Sequence, residues 1–329
     1  RFNATLPGWP RVTGGVETEN PIWLAPMAGI SFASFRGFHR ALGAGLVHTE
    51  MVSALGLLHR GRKTKELLYG SEEERPCVLQ LFGSKASDLA AGAAAALEIR
   101  AFDALEINMA CPMPKVTKKG SGSKLLEAPE EAAEMISGLK AFGLPVWSKV
   151  RLTPQNSPLS TEAFCEKLFA AGCDFIFVHG RTPAQRYEGR ADRAKVTAIA
   201  KSFPGLIGGS GDCARAEDFE EYLAGGCASV LAARGLVRNA LLVPETLAFL
   251  GCKVPDELLS PTAEAQADML LELGRGICRT EGEAMALTIA RRMLGALFKG
   301  FAGAAQLRRA GAMTKSWQEF EKLLFENRA

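Results

Sequence analysis

The chain has 329 residues, 47% of them apolar and 23% charged, with a formal net charge of +3. That composition suits a globular protein with ample core, and the near-balanced charge neither demands nor excludes a polyanionic partner. The length leaves room for one large domain and a smaller one. The eight cysteines form no C-x-x-C pair and there are only four histidines, so zinc-type spacing is absent and no metal is expected. The apolar stretches are too short to span a membrane, and Arg1, Pro7 and Pro10 interrupt any cleavable leader. A cytoplasmic protein with reduced thiols is expected, with a monomer favoured.

Residues 22–27 (IWLAPM) predict a buried strand closing on Ala28-Gly29, then a helix over 32–42 stopped by Gly43. Further strands are expected over 46–53, 76–82, 104–108, 145–152, 173–180, 205–212 and 229–235. Between them the spacing predicts helices over 88–100 (Ser87 as N-cap), 129–142 (Pro129 in the first turn, Gly143 as stop), 161–171, 192–203 and 215–224. Eight short apolar strands, each followed by a helix or helix-like connection, are the pattern of parallel βα units. They predict a closed (β/α)₈ TIM barrel, and no G-x-G-x-x-G follows the first strand to support a Rossmann alternative.

After Pro255 the texture becomes helical, with helices expected over 262–278, 283–298 and 315–325. This divides the chain into a barrel domain, 1–250, and a C-terminal helical domain, 251–329. From Ala284 to Gln318 the chain carries Arg291, Arg292, Lys299, Arg308, Arg309 and Lys315 and no acid. A basic run is most often a solvated helix face; the sign asymmetry suggests a side that meets phosphates.

A barrel keeps its chemistry at the C-terminal ends of its strands. There the sequence places Gln80, Asn108, Lys149 and Arg151, His179-Gly180-Arg181, Gly208 to Asp212, and Ala233-Arg234-Gly235. Glycine-rich ends on strands seven and eight suit a phosphate, to which Arg234 adds a bidentate charge. Lys149, between Trp147 and Val150 in a buried strand, is costly unless it meets an anion. Flavin mononucleotide (FMN) answers both demands. Taken singly, Gln80 could satisfy backbone groups, His179 could be a core histidine and Arg234 a structural ion pair; at matching strand ends, one shared site is the better reading. Cys111 follows the fourth strand on a loop holding Lys115, Lys118, Lys119, Gly120 and Gly122. A thiol so placed is suited to proton transfer or nucleophilic attack rather than to core packing.

Several stretches carry a family resemblance: LAPMAGIS with Phe35-Arg36, TEMVSA (49–54), QLFGS (80–84), NMACPMPKVTKKGSGSKLL (108–126), VWSKVRL (146–152), VHGRTPAQRYEGRAD (178–192), GGSGD (208–212) and FKGFAGAAQLR (298–308). On these the chain resembles the tRNA-dihydrouridine synthases, FMN-dependent barrels with a C-terminal helical domain. The resemblance implies reduction of the C5=C6 bond of tRNA uridines, with NADPH or NADH as reductant, hydride from flavin N5 to C6 and a proton from Cys111 to C5. It implies backbone contacts to FMN from Pro26, Met27 and Ala28, ring contacts from Gln80 and Lys149, a contact of His179 with the FMN or the bound uracil, and Asn108 orienting the base or the flavin. The phosphate and ribityl end would be Ser210, Gly211, Asp212, Ala233 and Arg234. Substrate contacts would come from Lys115, Lys118, Lys119, Arg181, Arg291, Arg292 and Arg308. Ala110, Ser210 and Ala233 stand where the family usually has Gly, Asn and Gly, and Leu297-Phe298 where an aromatic pair is usual. A flavin barrel acting on a small molecule and a non-catalytic RNA-binding barrel remain the two other classes.

Overall fold

A computed structural model describes residues 2, 4–59, 61–298, 301 and 303–327. Arg1, Lys299 and Gly300 of the sequence expectations lie outside the described residues. Eight parallel strands form the barrel: β1 (Ile22–Leu24), β2 (Leu46–His48), β3 (Cys77–Phe82), β4 (Ala104–Met109), β5 (Val146–Arg151), β6 (Phe175–His179), β7 (Ile207–Ser210) and β8 (Ser229–Ala232). The sheet closes because β1 pairs on one side with β2, Trp23 opposite Leu46, and on the other with β8, Trp23 opposite Leu231. A short run, Val52–Ser53, continues beside the end of β3.

The two-residue period of the strands sorts their side chains into two separate packing regions. Ile22, Val47, Leu79, Ile107, Val150 and Ile176 face outward and join the helical layer. Trp23, Val78, Ala104, Trp147, Phe175, Phe177 and Leu231 face inward and fill the lower half of the barrel. There Trp23 and Trp147 stack with centroids 5.5 Å apart, and Phe177 meets Trp23 edge-on at 5.7 Å. A hairpin unforeseen in the sequence, Val12–Thr13 paired with Val16–Glu17, caps this end. Its Gly14 carbonyl accepts a 2.7 Å hydrogen bond from Trp147 Nε1. Gly14 has φ +58° and lies where a Cβ would come within 2.7 Å of Phe175 Cβ, so only glycine fits.

Most connecting helices fall where the period predicts them, including Ala33–Ala41, Pro129–Lys140 and Thr161–Ala170. The helix Ala86–Leu97 starts ahead of Ser87, so Ser87 lies inside its first turn and is not the cap. Strands β7 and β8 end sooner than the apolar runs suggest. After Ser210 the backbone leaves the extended region, with φ +128° at Gly211 and +55° at Asp212. After Ala232 it turns into the short helix Arg234–Arg238.

The C-terminal segment holds the helices Ala263–Thr280, Glu283–Leu297, Ala304–Met313 and Trp317–Glu326. The third was not expected: glycine at 303 and 311 and a buried side limited to Ala304, Leu307 and Gly311 leave almost no apolar stripe to read. Thr262 and Ser316 cap the first and last of these helices through their hydroxyls. The helix Ala263–Thr280 packs against Ala33–Ala41, where Ser34 and Thr280 hydroxyls lie 3.2 Å apart. Among the described residues no helix is long and apolar enough to cross a membrane.

Candidate active site

Above the aromatic floor, the C-terminal mouth of the barrel opens into a cavity of about 520 Å³. Its walls bring together all the residues expected around a cofactor: Pro26, Met27 and Ala28 after β1, Gln80 on β3, Asn108 on β4, Lys149 on β5, His179 on β6, Ser210, Gly211 and Asp212 after β7, and Ala233 and Arg234 after β8. Cys111 borders the same space.

The cysteine is held by its neighbours on both sides. Asn108 Oδ1 accepts from the backbone N–H of Ala110 at 3.2 Å and of Cys111 at 2.9 Å, an Asx-type turn that closes β4. The Cys111 carbonyl accepts from Ser123 N–H at 3.0 Å. Gly122, at φ +62°, passes so near that a Cβ would lie 2.6 Å from the Cys111 oxygen. The loop between is not featureless; it carries the short helix Pro114–Thr117 anchored by buried Val116. Ala110 has negative φ and its carbonyl accepts from Arg151 Nε at 2.7 Å, so alanine replaces the family's usual glycine without backbone strain.

Lys149 and Arg151, two apart on β5, both point inward. Lys149 is 8% exposed and makes no hydrogen bond or close ion pair with the described residues. Burial pushes its ammonium down to about 8, partly offset by the nearby Glu106 carboxyl. His179 is held neutral: burial lowers it strongly, and the charges of Lys149, Arg151, Arg181 and Arg234 lower it further. Four cations therefore surround one edge of the cavity. Asp212 is ionised among them. Burial works against its charge, but the Ala191 N–H and the guanidinium groups of Arg181 and Arg234 outweigh it and hold the carboxyl below its usual range.

The residues expected to meet RNA separate into two kinds. Lys115, Lys118, Lys119, Arg292 and Arg308 are exposed. Arg181 is not at the surface: it is 2% exposed, and its guanidinium bonds Asp212 at 2.6 Å, the Glu188 and Gly189 carbonyls, and His179 Nε2 at 3.2 Å. It fixes the 182–192 loop and leaves the His179 proton on Nδ1, because Nε2 must accept from a guanidinium. Arg291 is half-buried and turns its guanidinium to the carbonyls of Gly311 and Thr314 at the end of the helix Ala304–Met313. In this structure the Arg181 guanidinium, and Nε and Nη2 of Arg291, are bonded within the protein itself.

Arg151, placed at a strand end by the sequence but given no role, and two residues missing from the expected site also belong to the cavity or its support. Arg151 ties the Ala110 carbonyl to those of Thr182 and Arg186. Tyr187, 53% exposed at the rim, lies under the guanidinium groups of Arg151 (5.5 Å) and Arg234 (5.0 Å). Glu106, wholly buried, accepts from Gln80 Nε2 at 2.6 Å. Strand alternation could have marked Glu106, which shares a face with Asn108; nothing local marks Tyr187.

A closed (β/α)₈ barrel with a loop thiol, a buried lysine and several cations at its C-terminal mouth has the build of a barrel enzyme whose cavity suits an anion. The chain belongs to the dihydrouridine synthase (Dus) family, whose pattern it matches over residues 23–328. It is 34% identical over 233 residues to a probable tRNA-dihydrouridine synthase of Aquifex aeolicus, covering 69% of this chain and 72% of that protein. It is 33% identical over 302 residues to a probable tRNA-dihydrouridine synthase of Rhizobium leguminosarum bv. phaseoli, covering 91% and 92%. A probable tRNA-dihydrouridine synthase 1 of Synechocystis is 30% identical over 328 residues, covering 98% and 90%.

Proposed function

We propose that this chain binds FMN in the barrel mouth and reduces the C5=C6 bond of uridines in tRNA, in the cytoplasm and as a monomer. The names of its relatives point to tRNA, and the donor set of the cavity suits FMN. Lys149 is a buried cation lacking a direct anionic partner among the described residues, as the ring edge that gains charge on reduction requires. The turn at Ser210, Gly211 and Asp212, with Ala233 and Arg234 opposite, would take the phosphate. Gln80 and Asn108 would hold the ring through their amides, His179 would contact ring or uracil, and Pro26, Met27 and Ala28 would offer backbone groups. When bound and reduced by NADPH or NADH, the flavin supplies a hydride for C6 of the base.

Everything else is done by the protein. Cys111, held by Asn108, stands at the cavity with its thiol ready to give a proton to C5 from the opposite face. A donor must carry its proton, so the lysines of its loop are read as contacts to RNA phosphates. Lys115, Lys118, Lys119, Arg292 and Arg308 would hold the RNA by its backbone while one uridine turns out of its stack, which costs a few kcal/mol.

The observation that carries this reading is a single cavity shared by Cys111, Asn108 and the unpartnered Lys149. The test is incubation of an unmodified tRNA transcript with the protein, FMN and NADPH, followed by mass spectrometry of the digested RNA. A gain of two hydrogens on a specific uridine is expected. NADPH oxidation supported by free pyrimidines or enones but not by tRNA would replace this reading with a small-molecule reductase.

A further inference from the structure

A fully buried carboxyl beside the barrel mouth has no part in the scheme above. Glu106 is inward-facing on β4, two residues before Asn108, and fully buried. A buried carboxyl is costly, and its Oε2 has no hydrogen-bond partner among the described residues. We propose that Glu106 is a positioning residue: its Oε1 is the terminal acceptor that anchors a hydrogen-bond chain running through the Gln80 and Asn108 amides to the Cys111 turn, and it thereby steadies that turn. The proposal rests on the reading of this cavity as the flavin and uracil site.

The direction of the chain is determined from its far end. The backbone N–H groups of Ala110 and Cys111 can only donate, so Asn108 must present Oδ1 to them. Its Nδ2 then donates to Gln80 Oε1 at 2.8 Å, which leaves Gln80 Nε2 to donate onward. Position 106 must therefore supply an acceptor, and Glu106 Oε1 does so at 2.6 Å. Without it, Gln80 Nε2 would be buried and unpaired, and the Gln80 amide would keep only its bond from Asn108 Nδ2.

The other oxygen shows that charge is not the requirement. His48 Nδ1 lies 2.8 Å from the Leu24 carbonyl and so carries its proton there, which aims the Nε2 lone pair at Glu106 Oε2, 3.6 Å away. Burial pushes Glu106 up to about 7, against the pull of Gln80 and Lys149, so a proton on Oε2 is readily taken up. Oε1 accepts in either protonation state. Glutamine would reproduce the arrangement, its carbonyl toward Gln80 and its amide toward His48. Aspartate would keep a carboxyl but withdraw the acceptor by one methylene, and leucine would remove it.

The experiment compares Glu106→Gln, Glu106→Asp and Glu106→Leu by FMN titration and by the rate of Cys111 alkylation in the flavin-free protein, read peptide by peptide. E106Q is expected within about twofold of the parent on both measures, since its acceptor is kept. E106L and E106D are each expected to lose on the order of tenfold in FMN affinity and to alkylate severalfold faster at Cys111, as suits loss of one buried hydrogen bond to a carboxyl. Buried Cys77 and Cys165 should stay equally protected in all three. The proposal is overturned if E106Q behaves like E106L, if E106L matches the parent, or if Cys77 and Cys165 open together with Cys111. Should E106L not fold, the contrast between E106D and E106Q decides alone. A parent protein that binds no FMN would sink the flavin reading, while the alkylation rates would still judge the chain of amides.

Discussion

The two halves of the barrel interior follow opposite rules. The lower half is an aromatic plug of Trp23, Trp147, Phe175 and Phe177, whose only polar handles are indole N–H groups bonded to the Asn20 and Gly14 carbonyls. The upper half holds His48, Gln80, Glu106, Asn108, Lys149, Arg151 and His179, buried groups that are individually costly: Gln80, Glu106 and Asn108 bond one another, and Arg151 bonds backbone carbonyls. The strands are shared, so one framework supplies both the stabilising floor and the strained mouth. The comparison teaches that stability and chemistry are separable along a single strand: on β5, Trp147 faces the floor and Lys149, two residues on, faces the cavity.

That separation can be attacked from both sides. Cys111→Ala should lower uridine reduction by roughly 10²–10⁴-fold, the usual worth of a positioned proton donor. FMN binding and thermal stability should be unchanged; equal turnover would remove the cysteine from the mechanism. Trp147→Ala should do the reverse, costing about 3–5 kcal/mol in a denaturant titration. If its loss left stability intact but abolished flavin binding, the division between floor and mouth would be wrong.

Lys149→Met removes a buried cation and should weaken FMN binding by about tenfold or more, while stability holds or rises because an unpaired buried charge has gone. Fluorescence titration and melting curves on the same sample read both effects. The smallest effect lies outside the barrel interior. His39 is fully buried against Phe35 and Phe38, with neither ring nitrogen bonded among the described residues, and burial lowers it to about 3. A histidine so depressed takes its proton more readily when unfolded. Its contribution is therefore complete above its ordinary 6.5 and is lost as the pH falls toward 3. His39→Leu should flatten the acid limb of the stability curve by about one proton, or about 1.4 kcal/mol per pH unit. A limb of unchanged slope would leave the loss to other groups, His48 first.

The unevenness of what could be read in advance has a physical origin. Cys111 and its loop were legible because their signals are local: a strand end, proline, glycines and lysines within about one loop. Lys149 was legible because a charge inside an apolar run violates a local rule. The burial of Arg181 was not legible, since an arginine on a glycine-flanked strand end looks free until Asp212, Glu188 and Gly189 fold around it. Tyr187 gave no local sign, because its site is made by Arg151 and Arg234 from two other segments. The helix Ala304–Met313 escaped because small residues and glycines bury so little of it.

The sequence by itself determined the eight βα units, the inward and outward faces of each strand and the loop that carries the thiol, since all of these follow from the short-range periods of helix and strand. Only the tertiary structure decided which inward residues meet across the closed barrel. Strand order and register bring Glu106, Gln80 and Asn108 from neighbouring strands into one hydrogen-bonded line, and they bury Arg181 beneath Asp212. Such partnerships depend on closure of the sheet, which no single stretch of chain contains.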